Sequence, residues 1–291
     1  MNRALEILSP GPLTLIEDLG RPGLAHLGVG TSGAADRTAY LLGNRLLGNP
    51  AGHASLEVTY GGLHVRARGA LTVCVTGATA RITVAGRPAD PGTPLRVPDC
   101  ADLVLGMPSH GLRSYLAVRG GIAVEPVLGS RSTDTLAELG PRPLAAGDVL
   151  PIGPPPVELP HIDHAPARPW PQDALVVLPG PRRDWFADPN ALQTTSWVVA
   201  SASDRRGVRL TGAALARVPS RRHTELASEG MVRGAIQVPP NGQPVILLAD
   251  HPVTGGYPVL GVLTADSADR AAQLVPGSPI RLTWSSGRHS A

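Results

Sequence analysis

Glycine and proline interrupt this chain so often that long helices have almost nowhere to form. The 291 residues include 34 glycines and 31 prolines. Glycine weakens helices and strands through backbone entropy, and proline removes a backbone donor. Between these breaks lie short apolar runs, the mark of a loop-rich, β-rich fold. Ser9-Pro10-Gly11-Pro12 divides residues 4–16 into two strands. The runs at 55–60, 71–76, 80–86, 102–107 and 113–118 are β-branched or alternating and are bounded by Gly or Pro. Their roughly even spacing predicts a barrel or sandwich. One helix is predicted over 34–49, where Leu42 and Leu46 share a face; Thr31 or Ser32 is placed at its cap and Gly48-Asn49-Pro50 at its stop.

Eight prolines fall between 151 and 171. Residues 151–172 therefore read as an extended linker between a first domain, 1–150, and a second, 173–291. The second domain predicts strands at 174–181, 197–200, 208–210, 235–238, 245–249 and 257–265, and a helix at 266–274. ALVVLPGP (174–181) echoes LEILSPGP (5–12), a hint of two related halves.

Composition narrows the function. All 26 basic residues are arginine. Without lysine there is no Schiff base, no Walker lysine for ATP, no Ser-Ser-Lys amidase chemistry and no carrier of biotin or lipoate. A net charge of +3 and nine aromatic residues are a poor basis for nucleic-acid binding. Two cysteines, Cys74 and Cys100, make neither a disulfide framework nor a metal cluster. The N-terminal MNRALEILSPGPL has no apolar signal core, and no run approaches 18 apolar residues. The expectation is a cytoplasmic protein with no membrane partner and no metal.

Several segments carry chemistry. Gly28-Val-Gly30-Thr-Ser-Gly33 matches G-x-G-x-x-G, but RPGLAHL before it is loop-like and no βαβ pattern follows. A dinucleotide fold is rejected, while weak phosphate or carboxylate binding at the following helix start is retained. His161-Ile-Asp-His164 lies in the Pro-rich stretch, where little would hold metal geometry. In SDRRGVRL, Asp204 and Arg205 form either a structural turn held by an Asp–Arg pair or a carboxylate and fork facing an anionic or amide substrate. The densest polar segment is 228–258, with Glu229, Gln237, Asp250 and His251 at strand ends and Gly255-Gly256-Tyr257 after them. A Gly-Gly pair there predicts adjacent N–H groups for an oxyanion or phosphate; the alternative is an ordinary glycine-rich hairpin.

These segments together resemble a known family. DLGRPGLAHLGVGTSGAADR (18–37), YLAVRGGIAVEPVLGSRSTDT (115–135), LPGPRRDWF (178–186), SDRRGVRLTG (203–212), SEGMVRGAIQVPPNGQP (228–244) and LLADHPVTGGYP (247–258) are similar, in order, to the biotin-dependent carboxyltransferase family, subdomains A and B. The resemblance implies a mainly β (α+β) protein of two barrel-like, cyclophilin-like subdomains with a few short helices. It implies the C subunit of an ATP-dependent 5-oxoprolinase, partnered by a KipI-like B subunit and a LamB/YcsF-type A subunit, with an amide or lactam substrate. ATP is expected to be shared with the partner, and no biotin is attached to this chain. The alternatives it brings are a urea carboxylase-type carboxyltransferase and a non-catalytic regulator that binds a KipI-like kinase inhibitor. On the matched motifs the expected catalytic residues are Asp250, Glu229 and Gln237. Arg205, Asp204, Gly255, Gly256, Tyr257, His26 and Ser32 are expected to bind substrate or phosphate. Family members often carry Gln-Thr where this chain has Pro252-Val253.

Overall fold

The computed structural model describes residues 3–158, 164–166 and 174–285. Contacts divide the chain into two units: Met1–Gly23 with Thr31–Trp170, and Leu24–Gly30 with Pro171–Ala291. Among the described residues, no helix is long and apolar enough to cross a membrane.

The first unit is one curled sheet. Its main path runs Leu13–Glu17, Ser55–Thr59, Asp102–Val118, Leu63–Arg68, Ala4–Pro10, Val149–Pro151. Alternation drives it: in Leu63–Arg68 the residues Leu63, Val65 and Ala67 face a common core while His64, Arg66 and Arg68 face out. Arg66 then pairs with Asp102 and Arg68 with Glu6 on the outer face.

Four of the expected short strands are in fact two long ones, Leu71–Val84 and Asp102–Val118, paired along their length. Gly77, Gly106 and Pro108 read as strand ends in sequence. In the structure the strands continue through them at register shifts between Gly77 and Ile82. Bulges absorb the breakers and bend the strand, so one segment serves two stretches of sheet. Gly77 has φ +89, and a Cβ there would sit 2.4 Å from the Arg113 carbonyl oxygen, so the bend needs glycine.

The first helix is Arg37–Leu46, shorter than expected, and its cap is Asp36, not Thr31 or Ser32. The Asp36 carboxylate accepts from the Ala39 N–H at 2.9 Å. Ala34 and Ala35 look helical by composition but lie outside the helix, where buried acceptors claim the backbone amides. Ala35 N–H donates to Glu57 (2.9 Å) and Asp36 N–H to the Tyr115 hydroxyl (2.7 Å). Since Asp36 already occupies the helix start, the anion site expected there is filled by the chain itself. The helix lies close on the sheet, where a Cβ on Gly43 would meet Ala117 Cβ at 3.2 Å.

The Pro-rich stretch is not a free linker at its start. Val149–Pro151 pairs with Ala4–Glu6, and the Arg119 guanidinium donates to the Pro156 and Glu158 carbonyls. Ala165 N–H donates to Gly92 O at 2.9 Å. Of the His161–His164 motif, residues 161–163 lie outside the described residues.

The second unit holds an eight-stranded sheet: Pro279–Ile280, Trp197–Val199, Gly207–Thr211, Val245–Leu247, Ala235–Gln237, Val259–Leu263, Leu175–Pro179, Leu282–Trp284. The two end strands are separated by Arg281 alone. One residue spans only about 3.5 Å, so the ends of the sheet meet and the sheet is nearly closed. A separate ribbon pairs Glu229–Gly230 with Thr254–Gly255. The helix Ala265–Ala271 ends sooner than expected, at the Ala272 cap. The echo between the two halves does not reach pairing: Ala4–Pro10 has antiparallel neighbours only, whereas Leu175–Pro179 pairs in parallel with Leu282–Trp284.

Tyr115 tests the first unit's polar core. Its hydroxyl donates to Glu57 at 2.8 Å and is fully buried. Burial, with Glu57 and Asp36 beside it, pushes the phenol well above its ordinary value, so it stays protonated. Tyr115→Phe leaves Glu57 and the Asp36 N–H short of a partner. It should cost about 1–3 kcal/mol in urea denaturation. A loss too small to resolve would show that the hydroxyl is dispensable.

Candidate functional site

All but one of the residues singled out by motif lie in the second unit. Asp250 follows the strand Val245–Leu247, and Arg205 precedes the neighbouring strand Gly207–Thr211. The antiparallel pairing of these strands brings the two residues face to face, and Asp250 N–H donates to Arg205 O at 3.0 Å. Their side chains meet fork to fork: Arg205 Nε to Asp250 Oδ2 at 2.9 Å, Nη2 to Oδ1 at 3.0 Å. Arg205 is 2% exposed and Asp250 0%.

Neither open reading of SDRRGVRL contained this partner, though Asp204 does build the turn of one of them. Arg205's carboxylate is Asp250, 45 residues on, not Asp204. Asp204 is exposed, and its Oδ1 accepts from the Arg206 and Gly207 N–H groups, building the turn. The fork is already committed to Asp250, so Arg205 does not present it to an anionic substrate. Both Asp250 oxygens accept from a buried guanidinium. The geometry gives the pair a positioning role.

A second cluster is more open. Glu229 sits opposite Gly255 in the ribbon. Arg182 donates to both its carboxylate oxygens, Nε to Oε2 at 3.2 Å and Nη2 to Oε1. The Arg182 backbone is fixed by Val259 O, which accepts its N–H at 3.1 Å. Gln237, half-buried, ends the strand Ala235–Gln237, and its Oε1 is 3.4 Å from where a Gly255 Cβ would stand. Met231 Cε lies 3.1 Å from the same point. Glu229 and Gln237 therefore both stand beside Gly255, with exposed Tyr257 two residues beyond it.

The Gly255-Gly256 nest does not form. Neither glycine has positive φ, which a nest of adjacent N–H groups requires, and Gly255 is a strand residue instead. His26 lies exposed in the short turn Ala25–Leu27. Ser32 belongs to the first unit, is 1% exposed and donates to Thr133 O at 3.3 Å; its hydroxyl faces the interior and not a ligand. Arg182, within LPGPRRDWF, was not among the residues expected to act. Its place beside Pro-Gly-Pro, directly after a strand, was the available signal. No group of three His, Cys, Asp or Glu able to hold a metal occurs among the described residues.

With this geometry in view, the carboxyltransferase domain family, subdomain A and B, matches residues 27–284. The chain belongs to that family. It is 37% identical over 281 residues to the C subunit of the Escherichia coli 5-oxoprolinase, covering 95% of this chain and 89% of the relative. The crystal structure of TTHA0988 superposes with a TM-score of 0.87 at 36% identity, covering 97% of this chain and 56% of that one. The Kluyveromyces lactis urea carboxylase gives 0.86 at 30% identity over 96% of this chain and 27% of its own length. This carboxyltransferase-family chain thus spans about half of one solved relative and about a quarter of the other.

The two ion pairs can be tested separately. Asp250→Asn leaves a buried, uncompensated guanidinium and should destabilise by about 3–5 kcal/mol, whereas Arg205→Met with Asp250→Leu should recover most of that loss. Urea denaturation of the wild type and the two variants decides it; a mild Asp250→Asn would contradict the buried-pair account. The second test concerns Glu229, 26% exposed, whose carboxyl Arg182 holds below its ordinary value. A depressed carboxyl contributes stability that is present above the unfolded pKa and is lost as pH falls through the folded one. Arg182→Gln should return the Glu229 carboxyl to the usual range in a carbon-detected NMR titration and remove that acid-limb contribution. An unmoved titration would dissolve the pair.

Proposed function

We propose that this chain is the C subunit of an ATP-dependent 5-oxoprolinase, which opens 5-oxoproline to glutamate together with a KipI-like B subunit and a LamB/YcsF-type A subunit. The observation that carries this reading is the 37% identity, over 95% of the chain and 89% of the relative, to a protein named for that role. The cytoplasm, where ATP is abundant, is the expected compartment.

The second unit supplies groups suited to a lactam. The Gln237 side-chain amide can donate to a lactam carbonyl and accept from its N–H. Glu229, partly exposed and gripped by Arg182, can accept a proton from an attacking water or hold the ring N–H once Arg182 turns to an anionic group. Arg182 offers a planar fork to a carboxylate or phosphate. In a chain without lysine, any phosphate contact from a cationic side chain falls to arginine or a protonated histidine. Asp250 and Arg205 brace the adjoining ends of the strands Val245–Leu247 and Gly207–Thr211. A second reading, a urea carboxylase-type carboxyltransferase, draws on the likeness to the K. lactis enzyme.

Co-expression of the three subunits and an assay of ATP-dependent glutamate release tests the main reading. The complex should turn over and the isolated chain should not. Glu229→Gln should leave assembly intact and lower kcat by about 10²-fold or more. Full activity of that variant would remove Glu229 from the chemistry. Biotin-dependent carboxylation of urea without glutamate release would favour the second reading.

A further inference from the structure

The first unit contains a cavity of about 310 Å³, at the lower end of the range for small-molecule sites. None of the residues discussed for lactam chemistry lines it. We propose that this cavity binds a small carboxylate with a compact apolar body, its charge held by Arg131 and its body packed on a wall of prolines.

The cavity is built to stay open. Three glycines let backbone segments approach more closely than any side chain would allow. A Cβ on Gly120 would lie 2.3 Å from Gly153 O, one on Gly153 2.5 Å from Gly120 O, and one on Gly121 2.9 Å from His53 Cβ. Gly120 N–H donates to Asn49 Oδ1 at 2.9 Å, and Asn49 donates in turn to Val118 O and Asn44 Oδ1. The wall Pro154, Pro155, Pro156 is tied at its end by Arg119, whose Nη2 donates to Pro156 O at 2.7 Å and whose Nη1 donates to Leu47 O at 2.9 Å. Prolines bring no N–H and a fixed φ, so this wall is both rigid and apolar. Pro50 and Ile122 extend it. A site already ordered before binding costs its ligand little.

Two polar side chains line the same space. Arg131 is anchored at its base: its N–H donates to Asp18 Oδ2 at 2.6 Å and its Nε to Val124 O at 2.6 Å. Among the described residues nothing bonds its terminal nitrogens, and it has no carboxylate partner of its own. His53 is held equally firmly through its backbone, with its carbonyl accepting from the Tyr40 hydroxyl (2.8 Å) and Asn44 Nδ2 (2.9 Å). Its ring Nδ1 is buried with no hydrogen-bond partner among the described residues. Burial and the Arg131 charge hold this imidazole below its ordinary value. A carboxylate would give Arg131 a bidentate acceptor. Inorganic phosphate would use the charge but leave the proline wall uncovered.

The full chain, titrated calorimetrically, tests this. Cyclopentanecarboxylate should bind saturably and shift the His53 ring resonances in NMR. Cyclopentanecarboxamide, the same shape without charge, should bind at least about tenfold more weakly, the scale of a charge-assisted hydrogen bond. Arg131→Gln should weaken the carboxylate by a similar factor. Equal affinity for acid and amide, an unmoved His53, or binding unchanged by Arg131→Gln would overturn the proposal. Phosphate competing as strongly as the carboxylate would overturn the apolar half of it. If Arg131→Gln does not fold, Ala123→Leu decides: it changes an exposed residue on the cavity rim, keeps both polar groups and should block entry. Binding retained in that variant would place the ligand elsewhere. Glutamate release by the three-subunit complex is a separate readout, so this site and the lactam site can fail independently.

Discussion

A carboxylate cut off from water must find its donors inside the protein, and much of this chain is shaped by that requirement. Asp18 is 5% exposed and gathers the Gly20 N–H, the Ser130 and Ser132 hydroxyls and the Arg131 N–H, tying a loop near residue 20 to one more than a hundred residues away. Glu57, fully buried, gathers Ala35, Tyr115 and Arg113 and so fixes where the first helix can begin. Asp250 does the same for Arg205 in the second unit. These contacts hold segments with little regular structure in place, because leaving such a buried acceptor unmade would be costly.

The strands were largely legible because alternation and punctuation are local signals. Their lengths were not. Gly77 and Pro108 look like ends when read alone, and only the partner strand shows that a bulge carries the chain through. The helix start failed for a related reason. Thr31 and Ser32 are good caps by type, but the choice of Asp36 was made by Glu57 and Tyr115, residues far along the chain.

The site was legible as a set of residues but not as a set of pairs. Glu229, Gln237 and Gly255 do converge. Asp250 and Arg205 also converge, but on each other, which turns two proposed reactive groups into a brace. Asp204, next to Arg205 in sequence, faces the other way and makes a turn. Arg182 went unnoticed because arginine pairs look alike in sequence, and burial and register distinguish them. Of the two carboxylates, the one left partly open to solvent is therefore Glu229 in the ribbon, not Asp250 at the apolar strand end.

The near-closure of the second unit's sheet has a consequence for biosynthesis. Leu175–Pro179 finds one neighbour in Val259–Leu263 and its parallel partner only in Leu282–Trp284. Its apolar edge is made about a hundred residues before the strand that seals it. At about 5–20 residues per second, the nascent chain carries an open edge for roughly 5–20 s on the ribosome. Unpaired strand edges are where wrong partners add. The interval between those two strands is thus when this protein is most exposed to aggregation, and a slow translation stretch within it would lengthen the risk.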